Sequence, residues 1–192
     1  MPQKLPAKLV SVVDFSRSAL GQRPGCAVLI ATISSEWARL EHELTSMFGA
    51  ATGLNSATSK DTWQSSPNLA AFAALAALES LHARIAAITA AFDAIDIDAR
   101  LKTSFAQISL ELRKRAKERN AIIHGLWGIV DNYPNDVILK SAPQTNDLKR
   151  YTQKDFEQAI ERLTETGSRV SNFTFQVTAT QAEIEIGWPE DP

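Results

Sequence analysis

Apolar positions recur at alternating spacings of three and four along most of the chain. Between residues 26 and 49, Ile30, Ile33, Trp37, Leu40, Leu44 and Met47 fall on one line, the stripe of a helix that buries a single face. Gly49 and Gly53 suit its end. Residues 52–66 are rich in Ser, Thr and Asn and read as a loop carrying Trp63. Ser66-Pro67 has the form of a helix start, with Ser as N-cap and Pro in the first turn. A second helix then runs to about Ile95, with Leu75, Leu78, His82, Ile85, Ile88 (or Thr89) and Phe92 on its inner face. Asp96 and Asp98 mark a break. A third helix is expected from about Ala99 to Gly125, with Leu101, Phe105, Ile108, Leu112, Arg119 and Ile123 on its stripe. Two β-prone runs flank Pro134-Asn135-Asp136 and predict a hairpin over about 126–140. Thr152-Gln153-Lys154-Asp155 reads as a capping box with Asp in place of Glu, opening a fourth helix that runs to about Phe173.

Long helices joined by short connections predict an all-α fold, an antiparallel bundle of four to five helices with one short β-hairpin after the third. Residues 1–25, with Gly21, Pro24 and Gly25, read as an N-terminal arm with room for one short helix. Residues 26–175 form the helical domain. Residues 176–192 form a C-terminal tail that mixes a strand-like stretch with a mobile, acidic, Pro-containing end.

Composition narrows the function classes. A length of 192 residues suffices for one well-buried domain. Twenty Lys and Arg against 22 Asp and Glu leave a net charge of −2, so no global basic field draws nucleic acid, and any such contact must be local. Cys26 is the only cysteine, which excludes an internal disulfide and suits a reducing cytoplasm. The apolar segment Leu69–Phe92 contains Glu79, His82 and Arg84, so a buried helix is expected there rather than a membrane span. Asp14 and Arg17 interrupt the N-terminal apolar run before a signal-peptide core forms. The chain has no H-E-x-x-H, no P-loop and no G-x-G-x-x-G, so neither a metal nor a nucleotide cofactor is expected. Asp93, Asp96 and Asp98 lack the Gly and the downstream Glu of a calcium loop.

The chemistry concentrates in Arg113-Lys114-Arg115-Ala116-Lys117-Glu118-Arg119-Asn120 and in His124 just beyond it. At roughly 100° per residue, Arg113, Lys117, Asn120 and His124 share one polar face. Arg119 instead points along the apolar stripe. A buried, unpaired guanidinium costs several kcal/mol, so Arg119 is expected to have a carboxylate partner, and Glu41 on the first helix is the leading candidate. Arginine offers a fixed cationic fork that matches phosphate oxygens. Histidine exchanges protons near neutral pH. RNA cleavage without metal needs a base for the ribose 2′-OH, an acid for the leaving 5′-oxygen and positive charge for the phosphorane between them.

The run Arg119-Asn120-Ala121-Ile122-Ile123-His124 resembles the R-x4-6-H motif of the HEPN superfamily, in which the first variable position is often polar, as Asn120 is. That resemblance implies a helical bundle with the motif on a late helix. It also implies a metal-independent endoribonuclease, acting as a toxin or defence effector, whose two motifs face one cleft across a homodimer. Arg119 and His124 would be catalytic, and Asn120 would orient His124 or contact phosphate. Arg113 and Lys117 would track the RNA backbone. An antitoxin partner, such as a minimal nucleotidyltransferase, is a further expectation of the family. Two other readings compete. One is a non-catalytic helical module that binds RNA or a protein partner, with Arg119 structural and Trp127 and Trp188 serving its surface. The other is a ligand-binding bundle with a pocket beneath the alanine-rich helix, which the close packing that alanine permits argues against.

Overall fold

The computed structural model describes residues 2–52, 69–95, 97–141 and 147–186. The expectations for Gly53, Trp63, Ser66-Pro67, Asp96 and Trp188 lie outside them. Five α-helices occur among the described residues: α1 (Pro24–Ala51), α2 (Leu69–Ala76), α3 (Leu81–Ala94), α4 (Ala99–His124) and α5 (Gln153–Ile186). Two 3-10 turns, Ala7–Val12 and Leu20–Gln22, lie in the N-terminal arm. The fold is mostly helical, as expected. The hairpin is real but is only part of a four-stranded antiparallel sheet, β1-β4-β3-β2, built from β1 (Gln3–Lys4), β2 (Leu126–Gly128), β3 (Val137–Lys140) and β4 (Leu148–Tyr151). None of these helices is long and apolar enough to cross a membrane.

Two boundaries differ from the sequence reading, each for a local reason. The single helix expected across 66–95 is interrupted at Ser80. That residue leaves helical geometry (φ −99°, ψ 139°), and its hydroxyl accepts a hydrogen bond from the Ala83 amide at 3.1 Å, which starts α3 afresh. Helix α5 continues to Ile186 instead of stopping near Phe173, because Phe156, Ala159, Leu163, Thr166, Val170, Phe173 and Val177 keep one buried stripe going past that point. The capping box at its start forms as expected. The Thr152 amide donates to Asp155 Oδ2 at 2.9 Å, and the Asp155 amide donates to Thr152 Oγ1 at 3.3 Å.

The chain divides into two compact units, Met1–Ala38 with Lys114–Glu165, and Arg39–Arg113 with Thr166–Pro192. In the first, the sheet register sets Trp127 opposite Leu139 and Ile138 opposite Arg150. Trp127, Tyr151 and Phe156 form an aromatic cluster with centroids 5.3 to 5.5 Å apart. Trp127 is thus a core residue, and its indole N–H donates to the Ile122 carbonyl at 3.0 Å, closing the end of α4. A second apolar group gathers Leu5, Val130, Ile138 and Leu148 under the N-terminal arm. Arg150 fastens that arm: it donates to Gln3 Oε1 at 2.7 Å, pairs with Asp136 at 3.5 Å and lies 4.4 Å over the Tyr133 ring. In the second unit three phenylalanines meet at the core. Phe92, Phe105 and Phe173 meet with centroids 5.0, 5.5 and 5.8 Å apart.

Candidate functional site

Helix α4 carries an inward ladder at spacings of four and three: Leu101, Phe105, Ile108 and Leu112 are all buried. Continued at the same spacing, the ladder reaches Arg115, Arg119 and Ile122. Ile122 is fully buried and Ile123 only half-buried, so the stripe ends one residue earlier than the sequence reading placed it. Two arginines therefore occupy rungs that a plain core would give to leucine.

Arg115 meets Glu118 at 2.7 Å, and Glu118 takes Arg162 of α5 at 2.5 Å. Two guanidinium groups thus share one carboxylate. Tyr151 lies in the same surroundings. Burial, reinforced by the charges of Glu118 and Asp155, pushes its phenol up to about 12. Asp155 shows the opposite balance. Burial alone would raise its carboxyl, but hydrogen bonds including those from the Thr152 amide and hydroxyl hold it below the usual range.

Arg119 is half-buried and makes no ion pair among the described residues. Its guanidinium lies 5.8 Å from the centre of the Trp37 ring. Nη1 donates to Asn120 Oδ1 at 3.0 Å and stands 3.5 Å from His124 Nε2. Nε is buried and finds no acceptor. The expected Arg119–Glu41 pair is replaced: Glu41 pairs with Arg84 of α3 at 3.2 Å, and Trp37, one turn earlier on α1, takes the place beside Arg119. The separation of Arg119 from its polar neighbours on the helical wheel is overcome by reach, because the guanidinium extends along α4 to the last turn.

His124 is the last residue of α4 and, like Asn120, is exposed. Gly125 follows for a steric reason. A Cβ there would strike Leu139 and come within 2.6 Å of the Ala121 carbonyl, so only glycine lets the chain turn from the motif into β2. The structure therefore brings Arg119, Asn120 and His124 together. Lys117 is exposed and has no partner among the described residues. Arg113 is exposed, belongs to the other compact unit and is bound to His82, so it does not extend this group. His82, expected on the inner face, is exposed.

Trp37 and Glu118 were not among the residues singled out from the sequence. Trp37 was read as an ordinary stripe residue. Glu118 lies within the basic run, and its pairing across to α5 has no local signal. Among the described residues no group of three or more His, Cys, Asp or Glu is placed to hold a metal ion. Comparison with protein-family models, with curated proteins and with solved structures finds no match.

Proposed function

We propose that this protein is a HEPN-like endoribonuclease that cleaves RNA without a metal ion, at a composite site formed by two copies of the chain. The observation that supports this reading is the triplet at the end of α4: an arginine with no carboxylate partner among the described residues, held beside an exposed asparagine and an exposed histidine. An unneutralised guanidinium next to a titratable imidazole is the minimum apparatus for phosphoryl transfer by positioning and charge. The contact of 3.5 Å to His124 is long, as catalytic hydrogen bonds often are before substrate arrives.

In the proposed reaction an imidazole removes the proton of a ribose 2′-OH. The 2′-oxygen attacks phosphorus, the bond to the 5′-oxygen breaks, and that oxygen takes a proton from a second acid. The products are a 2′,3′-cyclic phosphate and a 5′-hydroxyl. One triplet supplies one imidazole, whereas the reaction uses a base and an acid, so two triplets facing one cleft complete it. Lys114 and Lys117, both exposed on α4 before the triplet, offer RNA a local cationic contact despite the net negative charge. A role as a toxin or defence effector fits such an activity.

A second reading, a non-catalytic module that binds RNA or protein, draws support from one observation. Arg119 packs on the buried Trp37 with its Nε inside the protein, as a structural arginine would.

The test is cleavage of structured and unstructured RNA by the purified protein in excess EDTA. Cleavage is expected with wild type and a loss of at least about a hundredfold with Arg119→Ala and with His124→Ala. If the site is shared between copies, adding excess His124→Ala to wild type should lower activity, because a mixed dimer has one imidazole where the reaction uses two. Cleavage that persists in both variants would overturn the proposal. RNA binding without cleavage, retained by His124→Ala, would establish the second reading.

A further inference from the structure

We infer that the cavity between α3 and α4 is a binding site for a small amphipathic anion: an apolar body of about the size of a medium-chain fatty acid, carrying one carboxylate. The cavity measures about 430 Å³, within the usual range for small-molecule sites. It is independent of the proposed nuclease chemistry, and it lies inside one compact unit.

Its wall is apolar. Ile85, Phe92, Ile97 and Phe105 line it with the outer faces of buried core side chains. Leu110 also lines it and stands 62% exposed, a large apolar group left in water beside a concavity. Such a surface gains from an apolar occupant at a rate set by the area it removes from water.

The polar groups are few and uneven in charge. Asp93 and Lys102 line the cavity with opposite charges, and Arg113 adds a third, positive charge. The only partner of Arg113 among the described residues is His82, whose Nδ1 lies 2.7 Å from Arg113 Nη1. Arginine stays protonated, so Nδ1 must be the acceptor. A neutral ring nitrogen positions the guanidinium without cancelling its charge. The remaining N–H groups of Arg113 are free to meet a carboxylate. Ser109, also on the cavity wall, has a buried Oγ with no hydrogen-bond partner. Buried hydroxyls are normally satisfied, and an oxygen of the occupant would supply what Ser109 lacks. One cationic anchor, one unsatisfied hydroxyl and an apolar bed together describe a monoanionic amphiphile better than a sugar, a nucleotide or a cation.

The alanine-rich composition of the second sequence segment argued against such a space. The side chains explain the difference. None of the alanines of α3 lines the cavity, and all are exposed or half-buried; Ile85, Thr89, Phe92 and Asp93 form that wall.

The probe is decanoate, titrated into the full chain by calorimetry and followed by methyl NMR. Saturable one-to-one binding is expected at submillimolar concentration, with shifts concentrated on Ile85, Ile97 and Leu110. Decyltrimethylammonium, with the same tail and the opposite charge, should bind about tenfold more weakly or less. Arg113→Gln should weaken decanoate by a similar factor and leave the cationic amphiphile unaffected. Ala106→Trp, at an exposed position of the cavity wall, should abolish binding of both while the circular dichroism spectrum is unchanged. Equal affinity for the two amphiphiles, unaltered binding in Ala106→Trp, shifts confined to other methyl groups, or no binding up to millimolar decanoate would each overturn the inference.

Discussion

One helix, α4, carries one ladder of inward positions, and its two halves fill that ladder in opposite ways. In the N-terminal half the rungs are Leu101, Phe105, Ile108 and Leu112, and Phe105 joins Phe92 and Phe173 in a buried aromatic cluster. In the C-terminal half the rungs are Arg115, Arg119 and Ile122. The first half gains stability from area removed from water. The second half carries charge on rungs where burial would be cheaper, a cost that a stability argument does not explain. Local rules that are broken without a structural return tend to mark function. The same helix thus passes from rungs filled by apolar side chains to rungs filled by guanidinium groups.

That contrast can be broken by substitution. The largest effect is expected in the aromatic core: Phe92→Ala should cost about 3–5 kcal/mol in urea denaturation, because its ring touches both partners and its removal leaves a cavity. Next comes the α5 cap, since Asp155→Ala should cost about 1–3 kcal/mol by leaving the Thr152 amide and hydroxyl without the carboxylate that accepts from both. This effect depends on pH with a definite sign. The carboxyl of Asp155 is lowered in the folded state, so its contribution is complete above about pH 4, the unfolded value, and is lost as pH falls through the folded one. Wild type and Asp155→Ala should therefore converge in acid, and curves at pH 7 and pH 3 check it. The smallest effect sharpens the comparison most. Arg119→Met should change stability by less than about 1 kcal/mol, because an apolar chain of similar length fills the rung and removes an unsatisfied Nε. Cleavage of RNA in EDTA should nevertheless disappear. A loss of stability as large as that of Phe92→Ala would mean that Arg119 is structural after all.

The sequence made some of this legible and hid the rest for physical reasons. The stripe of α1 was readable because Ile33, Trp37, Leu40, Leu44 and Met47 obey helical spacing and are all buried. The Thr152–Asp155 cap was readable because its partners are three residues apart. The break at Ser80 was not, since alanines on both sides favour helix and the serine acts through a single hydrogen bond. Strands β1 and β4 were hidden by their shortness and by Lys149 and Arg150, and only pairing with distant residues makes them strands. For Arg119 the stripe showed that it points inward. Whether Trp37 or Glu41 lies beside it depends on how two helices slide past each other, and periodicity on a single helix carries no information about that.

The strap of Arg150 onto Gln3 spans 147 positions of sequence. During synthesis the residues of β1 leave the ribosome long before β4 exists, and the sheet order places β1 against β4 alone. Helical contacts form within short reaches of chain, whereas this edge waits for a large loop to close. Residues 3–5 are thus made well before the strand they pair with, and from the time β4 forms until β1 docks on it the edge of β4 stands open to any other extended chain.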